Sequence, residues 1–272
     1  MQDNLKTLTV IIGNARGGEK TWESMYKNLL APYNSDLALC FGVQQNKDIS
    51  LYSKAKYVWE VEEYKNWKDY YSKECNGFWE KSFLLGKRDG LAGGIDDCIG
   101  SGAIIFAFRH ILKNKYKDIL LKYNRIILTR SDFYYSQPHP ILSNDNFWIV
   151  DGEDHYGIGD RHHIFPSTSL DNALGIVEYM DSENGYKQIL NHNELRNPET
   201  LLKLYFQNIG IFEQIKRFPR VNYTVATRTD TTRWAKGVMQ DPNNPELWIK
   251  YPNEYASSMS NRFQNKIFNN LS

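Results

Sequence analysis

The chain has little cysteine, almost no net charge and no long apolar run. Cys40, Cys75 and Cys98 are an odd number with no close pairing. That excludes a disulfide framework and a zinc-type spacing, and it suits a reducing compartment. Lysine plus arginine number 33 and aspartate plus glutamate 32, for a net charge of +1. The basic footprint usual for nucleic-acid binding is therefore missing, and no nucleic-acid partner is expected. The longest apolar stretch, Ala103 to Phe108, falls far short of the ~20 residues a membrane helix needs. The N-terminus runs from Met1 through polar residues into Leu8-Thr9-Val10-Ile11-Ile12 with no signal-peptide pattern. The expectation is a soluble, cytoplasmic protein. Gly-x-Gly-x-x-Gly, a Gly-Lys-Ser/Thr phosphate loop and His-Glu-x-x-His are all absent, which argues against dinucleotide, P-loop and zinc-protease chemistry. There is no internal repeat, heptad run or clear linker.

What is present is an alternation of strands and helices. Thr7 to Ile12, Asp36 to Phe41, Lys56 to Val61, Arg125 to Thr129, Phe147 to Val150 and Tyr223 to Thr227 read as strands. Between the first two, Trp22, Met25, Tyr26, Leu29 and Leu30 form an apolar helical stripe, with Thr21 as the expected cap and Pro32 and Asn34 as the stop. Helices are also expected over Glu62 to Tyr71, around Ile104 to Leu112, from Asp118 to Leu121, from Leu170 to Met180, and from Pro198 to Asn208 with Asn197 as cap. Gly86 to Gly100 holds five glycines and reads as a mobile loop. This order predicts an α/β fold with a mixed, mainly parallel central sheet flanked by helices. The 272 residues suit one domain. Residues from Asp241 on, rich in Asn, Pro, Tyr and Ser, are expected to wrap the surface.

Four segments carry candidate chemistry. The turn Gly13-Asn14-Ala15-Arg16-Gly17-Gly18 follows the first strand and opens a helix, so its amides and Arg16 suit a phosphate or a base. Gly100-Ser101-Gly102-Ala103 stands at a second helix start, where small residues permit close approach of a ligand. Thr129-Arg130-Ser131-Asp132 lies where the buried strand Ile126-Ile127-Leu128 runs out. Open α/β sheets bind ligands at the carboxyl ends of their strands. Arginine there offers a fork to phosphate, and aspartate is a hard ligand for magnesium or manganese. The fourth segment, Asp151 to His163, packs four acids, three histidines and three glycines into thirteen residues. It suits a general base, with Asp160 the first candidate and Asp154 the second.

The order of these segments resembles the GT-A class of nucleotide-sugar-dependent glycosyltransferases. It is similar in particular to bacterial and viral members with Arg-x-Asp in place of Asp-x-Asp. The matching residues are Gly13 with Arg16, Thr129-Arg130-Ser131-Asp132, Gly159-Asp160-Arg161, and a helix opening with Pro198-Glu199. The resemblance spans roughly residues 7 to 215 and implies a GT-A-like, Rossmann-like fold. It implies a donor-nucleotide half at about 1–135, an acceptor and catalytic half at about 136–240, and a wrapping tail at 241–272. It also implies transfer of a sugar from a nucleoside-diphosphate sugar to a carbohydrate or glycoconjugate hydroxyl. Gly13, Asn14, Arg16, Ser101 and Arg130 would then hold the donor, and Asp132 a divalent manganese or magnesium ion. Arg130 replaces the first acid of Asp-x-Asp, which places two-carboxylate metal binding in doubt. A nucleotidyltransferase would want a glycine–lysine phosphate signature that the chain lacks. The non-enzymatic alternative is a sugar- or nucleotide-binding module with a decayed active site.

Overall fold

The computed structural model, which describes residues 5–230 and 236–270, contains two sheets. The larger has seven strands in the order β3-β2-β1-β4-β7-β6-β8. These are β1 (Thr7–Gly13), β2 (Asp36–Gly42), β3 (Tyr57–Val61), β4 (Arg125–Thr129), β6 (Trp148–Val150), β7 (His163–Pro166) and β8 (Lys216–Phe218). β1 pairs parallel with β2 and β4, β2 with β3, and β6 with β8. Only β7 runs antiparallel, to β4 and to β6. The mixed, mostly parallel α/β sheet expected from the sequence is thus present.

Side-chain alternation divides the core between two layers. Leu8, Val10, Ile12, Ala38 and Cys40 pack into one, against the Gly102–Lys115 helix and its neighbours. Ile11, Leu37, Leu39 and Phe41 pack into the other, against the helix that begins at Gly18. Burial on both faces is why β1 and β2 read as nearly continuous apolar runs.

The smaller sheet has the order β10-β11-β9-β5, with β5 (Phe133–Tyr135), β9 (Asn222–Ala226), β10 (Met239–Asp241) and β11 (Asn244–Ile249). Residues after Asp241 therefore do not simply wrap the surface. They complete a hairpin and then form the Pro252–Asn270 helix. The small sheet draws on all three expected parts of the chain, so boundaries near 135 and 240 do not separate structural units.

Several local expectations need correction. Gly17, at φ 85°, precedes the first helix, and Thr21 lies inside it with its hydroxyl donated to Gly17 O at 2.8 Å. That helix passes through a π segment, Tyr26–Leu30, and stops at left-handed Asn34. The helix expected over Glu62 to Tyr71 instead spans Lys68–Glu74. The one expected over Leu170 to Met180 breaks at Gly175 into Leu170–Leu174 and Ile176–Asp181. The glycine-rich segment is packed rather than open. Leu91, Ala92 and Ile95 are buried, and Gly94 O accepts from Trp67 N at 2.9 Å. A Cβ on Gly93 would come within 2.1 Å of the Gly100 carbonyl carbon, so the glycine permits close backbone packing. Asn197 is the helix cap, in a reciprocal capping box with Thr200. No helix among the described residues is long and apolar enough to cross a membrane.

Candidate active site

β2 and β3 lie to one side of β1, and β4 lies to the other. The chain therefore reverses direction across the sheet between β1 and β4. Crevices outside the carboxyl ends of strands at such a switch are where open α/β sheets hold ligands. A cavity of about 510 Å³ opens there. Its lining includes Gly13, Asn14, Arg16, Ser101, Arg130, Asp132 and Asp160, all singled out from the sequence. The turns after β1 and β4 are tied together through Ser131, whose hydroxyl donates to Asn14 O at 2.6 Å and accepts from Arg16 N at 3.0 Å.

Part of the lining is cationic. Asp132, 1% exposed, accepts from Arg130 Nε at 2.9 Å and Arg130 Nη2 at 2.7 Å, and from Lys250 Nζ at 2.9 Å. Burial alone would raise the Asp132 carboxyl, but Arg130 and Lys250 outweigh it and hold the group far below the usual carboxylate range. Burial also pulls the Lys250 ammonium below its ordinary value, against the attraction of Asp132. Lys250 arrives from the end of β11. Its amide donates to Thr224 O at 2.9 Å, and Val225 of the same strand, β9, donates to Asp132 O at 2.9 Å. The Arg16 guanidinium lines the cavity and makes no hydrogen bond among the described residues.

Asp132 does not fit the role of a metal ligand. Both of its oxygens already accept from cationic side chains. Among the described residues, no group of three or more His, Cys, Asp or Glu side chains is placed to hold a metal ion. A dication there would have to displace Lys250 or Arg130 and leave a buried cation uncompensated.

The same lining also carries acids. Asp160 is 4% exposed, with Arg161 Nε 3.9 Å from its carboxylate. Glu199, in the first turn of the Pro198–Asn208 helix, lines the same cavity. Burial pushes the Glu199 carboxyl up to about 8, and the charge of Asp160 adds to the shift. Asp160 is braced from behind. Arg109, fully buried on the Gly102–Lys115 helix, donates to Asp160 O at 2.7 Å. His163 Nε2 lies 2.7 Å from Gly159 O. Arg161 itself is committed: it pairs with buried Glu254 at 2.7 Å, donates to Thr224 Oγ1 at 3.1 Å and lies over the Tyr251 ring.

Trp67, Ile104, Ile105 and Phe108 add apolar surface to the lining. His155 and Tyr156 line the cavity, and both adopt positive φ, as does nearby Glu153 in the same loop, a costly conformation that tends to gather at functional sites. The loop is clamped to the helix start. Asn197 Nδ2 donates to His155 O at 2.9 Å, and a Cβ on Gly157 would meet Glu199 O at 2.0 Å.

Asp154, the second candidate base, is not among the cavity-lining residues. It pairs with Arg217 at 2.7 Å and accepts from Gly159 N at 3.1 Å, so it shapes the loop. His162 and His163 are buried on different partners, and neither lines the cavity. Sequence reasoning missed Lys250, Tyr251 and Glu254, and it gave Glu199 no role. The one signal for Lys250 was a charged residue just after the apolar run Leu247-Trp248-Ile249. Compared with protein-family models, the chain matches none, and no curated protein matches it.

Proposed function

We propose that the protein is a glycosyltransferase that moves a sugar from a nucleoside-diphosphate sugar to a carbohydrate hydroxyl. The observation that carries this reading is one cavity at the β1/β4 switch whose lining holds both a cluster of cations and the acids Asp160 and Glu199. As the glycosidic bond to the donor breaks, negative charge grows on the leaving diphosphate. Fixed cations aimed at that charge lower the barrier. Arg130 and Arg16 are suited to it because a guanidinium fork matches phosphate oxygens. The apolar surface suits the flat face of a base or a sugar ring.

The acid pair supplies the base for the acceptor hydroxyl. Asp160 and Glu199 repel one another when both are ionised, so the pair holds a proton near neutrality and releases it as pH rises. Glu199, whose carboxyl is raised by burial and by the charge of Asp160, is the better base.

The test is release of nucleoside diphosphate from a panel of nucleotide-sugars, with and without mixed carbohydrate acceptors. Acceptor-stimulated release that falls in Glu199→Gln would support the reading. Thermal stabilisation by nucleotides with no turnover across the panel would refute it in favour of a binding module.

A further inference from the structure

We propose that Arg16, Arg130 and Lys250 form a diphosphate site that works without a metal ion, with Asp132 as their internal counter-ion. The inference deepens the glycosyltransferase reading and rests on it for the identity of the molecule that carries the diphosphate.

The three cations come from three separate segments: the turn after β1, the turn after β4, and the end of β11. All three line the same cavity. Among the described residues, Asp132 is the one carboxylate in direct contact with any of their charged ends. Asp230 and Glu63 lie near enough to Arg16 to favour its charge. Asp230, however, is spent on backbone, with one oxygen accepting from Gly17 N at 3.0 Å and Thr227 N at 2.8 Å. At contact distance Arg130 and Lys250 share a single carboxylate and Arg16 has none, while Glu63 and Asp230 offset part of the charge from farther off. In such a partly water-excluded place the contacting cations attract an anion more strongly than they would in bulk water.

The donors are also in place. Arg130 uses Nε and Nη2 on Asp132, which fixes the plane of the guanidinium, and Nη1 has no partner among the described residues. Lys250 gives Asp132 one hydrogen bond of the three an ammonium can donate. Arg16 gives none from its guanidinium. Asp132 thus does for the two buried cations what a metal's carboxylate ligands do elsewhere: it fixes the position of positive charge. A divalent ion would compete with these cations for the same carboxylate and add to their repulsion.

The probe is inorganic pyrophosphate, titrated calorimetrically into the full chain in excess EDTA and again in excess manganese. The expected result is binding in EDTA, with affinity changed less than about threefold by manganese. Arg16→Gln should weaken binding about tenfold or more, the scale of losing charge-assisted hydrogen bonds. Arg16 is partly exposed and its guanidinium makes no hydrogen bond among the described residues, so this variant is expected to fold. Lys250→Met, tested with its melting curve alongside, should weaken binding similarly. Binding that requires manganese, or wild-type affinity in Arg16→Gln, overturns the proposal. Pyrophosphate binding in EDTA without consumption of any nucleotide-sugar leaves the site standing while the glycosyltransferase reading fails. Sugar transfer that depends strictly on manganese does the reverse.

Discussion

The two charged groups in the cavity lining use the same residue types for opposite ends. On the β4 side, Asp132 meets two cations at hydrogen-bonding distance and is held ionised. Elsewhere in the lining, the one ion-pair contact of Asp160 among the described residues is at 3.9 Å, to an arginine committed to Glu254, and burial raises the Glu199 carboxyl to about 8. A carboxylate saturated with cations is a structural anchor and a poor proton acceptor. A carboxyl crowded by another acid in a half-dry place is a proton carrier. Proximity to the cavity does not distinguish these roles, whereas the count and distance of cationic partners does.

The largest effect is expected at Asp132. Asp132→Ala leaves Arg130 and Lys250 unpaired, and removing one partner of a buried pair costs about 3–5 kcal/mol. Urea unfolding should show that loss, together with loss of transfer. Glu199→Gln should behave oppositely: folding stability stays the same or rises, while transfer falls by about 10²–10⁴-fold, the range for a lost general base. Equal stability losses in the two variants would erase the distinction between the two groups.

pH sharpens the same contrast. The Glu199 carboxyl sits near 8 against an ordinary 4.5. Its raised value means the folded state holds the proton more tightly, so its stabilising contribution is full below 4.5 and lost as pH rises through 8. Transfer should rise over that same upper limb, because the base must be deprotonated, and the limb should vanish in Glu199→Gln. The buried histidines act in the other direction. Burial lowers His139 to about 4 from 6.5 and pulls His162 and His163 well down. The unfolded chain then binds more protons below 6.5, and stability should decline as pH falls from 6.5 towards 4. Urea midpoints that are flat between pH 7 and 5 would contradict the buried, neutral state of these rings.

The smallest effect is expected at Asp154. Its ion pair with Arg217 is partly exposed, and such pairs contribute about 0–1 kcal/mol. Asp154→Asn should leave transfer within about threefold of wild type, since a base must reach its proton within hydrogen-bond distance. A large loss would return Asp154 to the acid group.

The β1 and β4 sides of the site were legible because sequence-local signals coincide there. The apolar runs Leu8–Ile12 and Ile126–Leu128 announce buried strands, and the polar residues that follow each run must lie at a strand's end. Asn197-Pro198 fixed a helix start to the residue. The remainder depends on pairings between distant segments. Lys250 reaches Asp132, 118 positions away, only because β11 pairs with β9 and β9 with β5. β11 itself was obscured by the Asp-Pro-Asn-Asn-Pro run that turns the chain into it. Glu254, on the helix that follows, is fully buried against Arg161 and Arg220, and no periodicity marks a charged residue for the interior. Gly86–Gly100 misled for a related reason: glycines chosen for tight backbone contact look in sequence like glycines chosen for freedom.

The most direct test of the cavity as a nucleotide-sugar site is hydrogen exchange in the presence of the nucleotide-sugar that most raises the melting temperature. Protection is expected in three segments at once: residues 12–17 after β1, 129–133 after β4, and 249–255 after β11. Added protection is also expected at 195–200, where Glu199 begins its helix. Protection confined to other surfaces, or to the β1 turn without 249–255, would contradict a site assembled from both sheets.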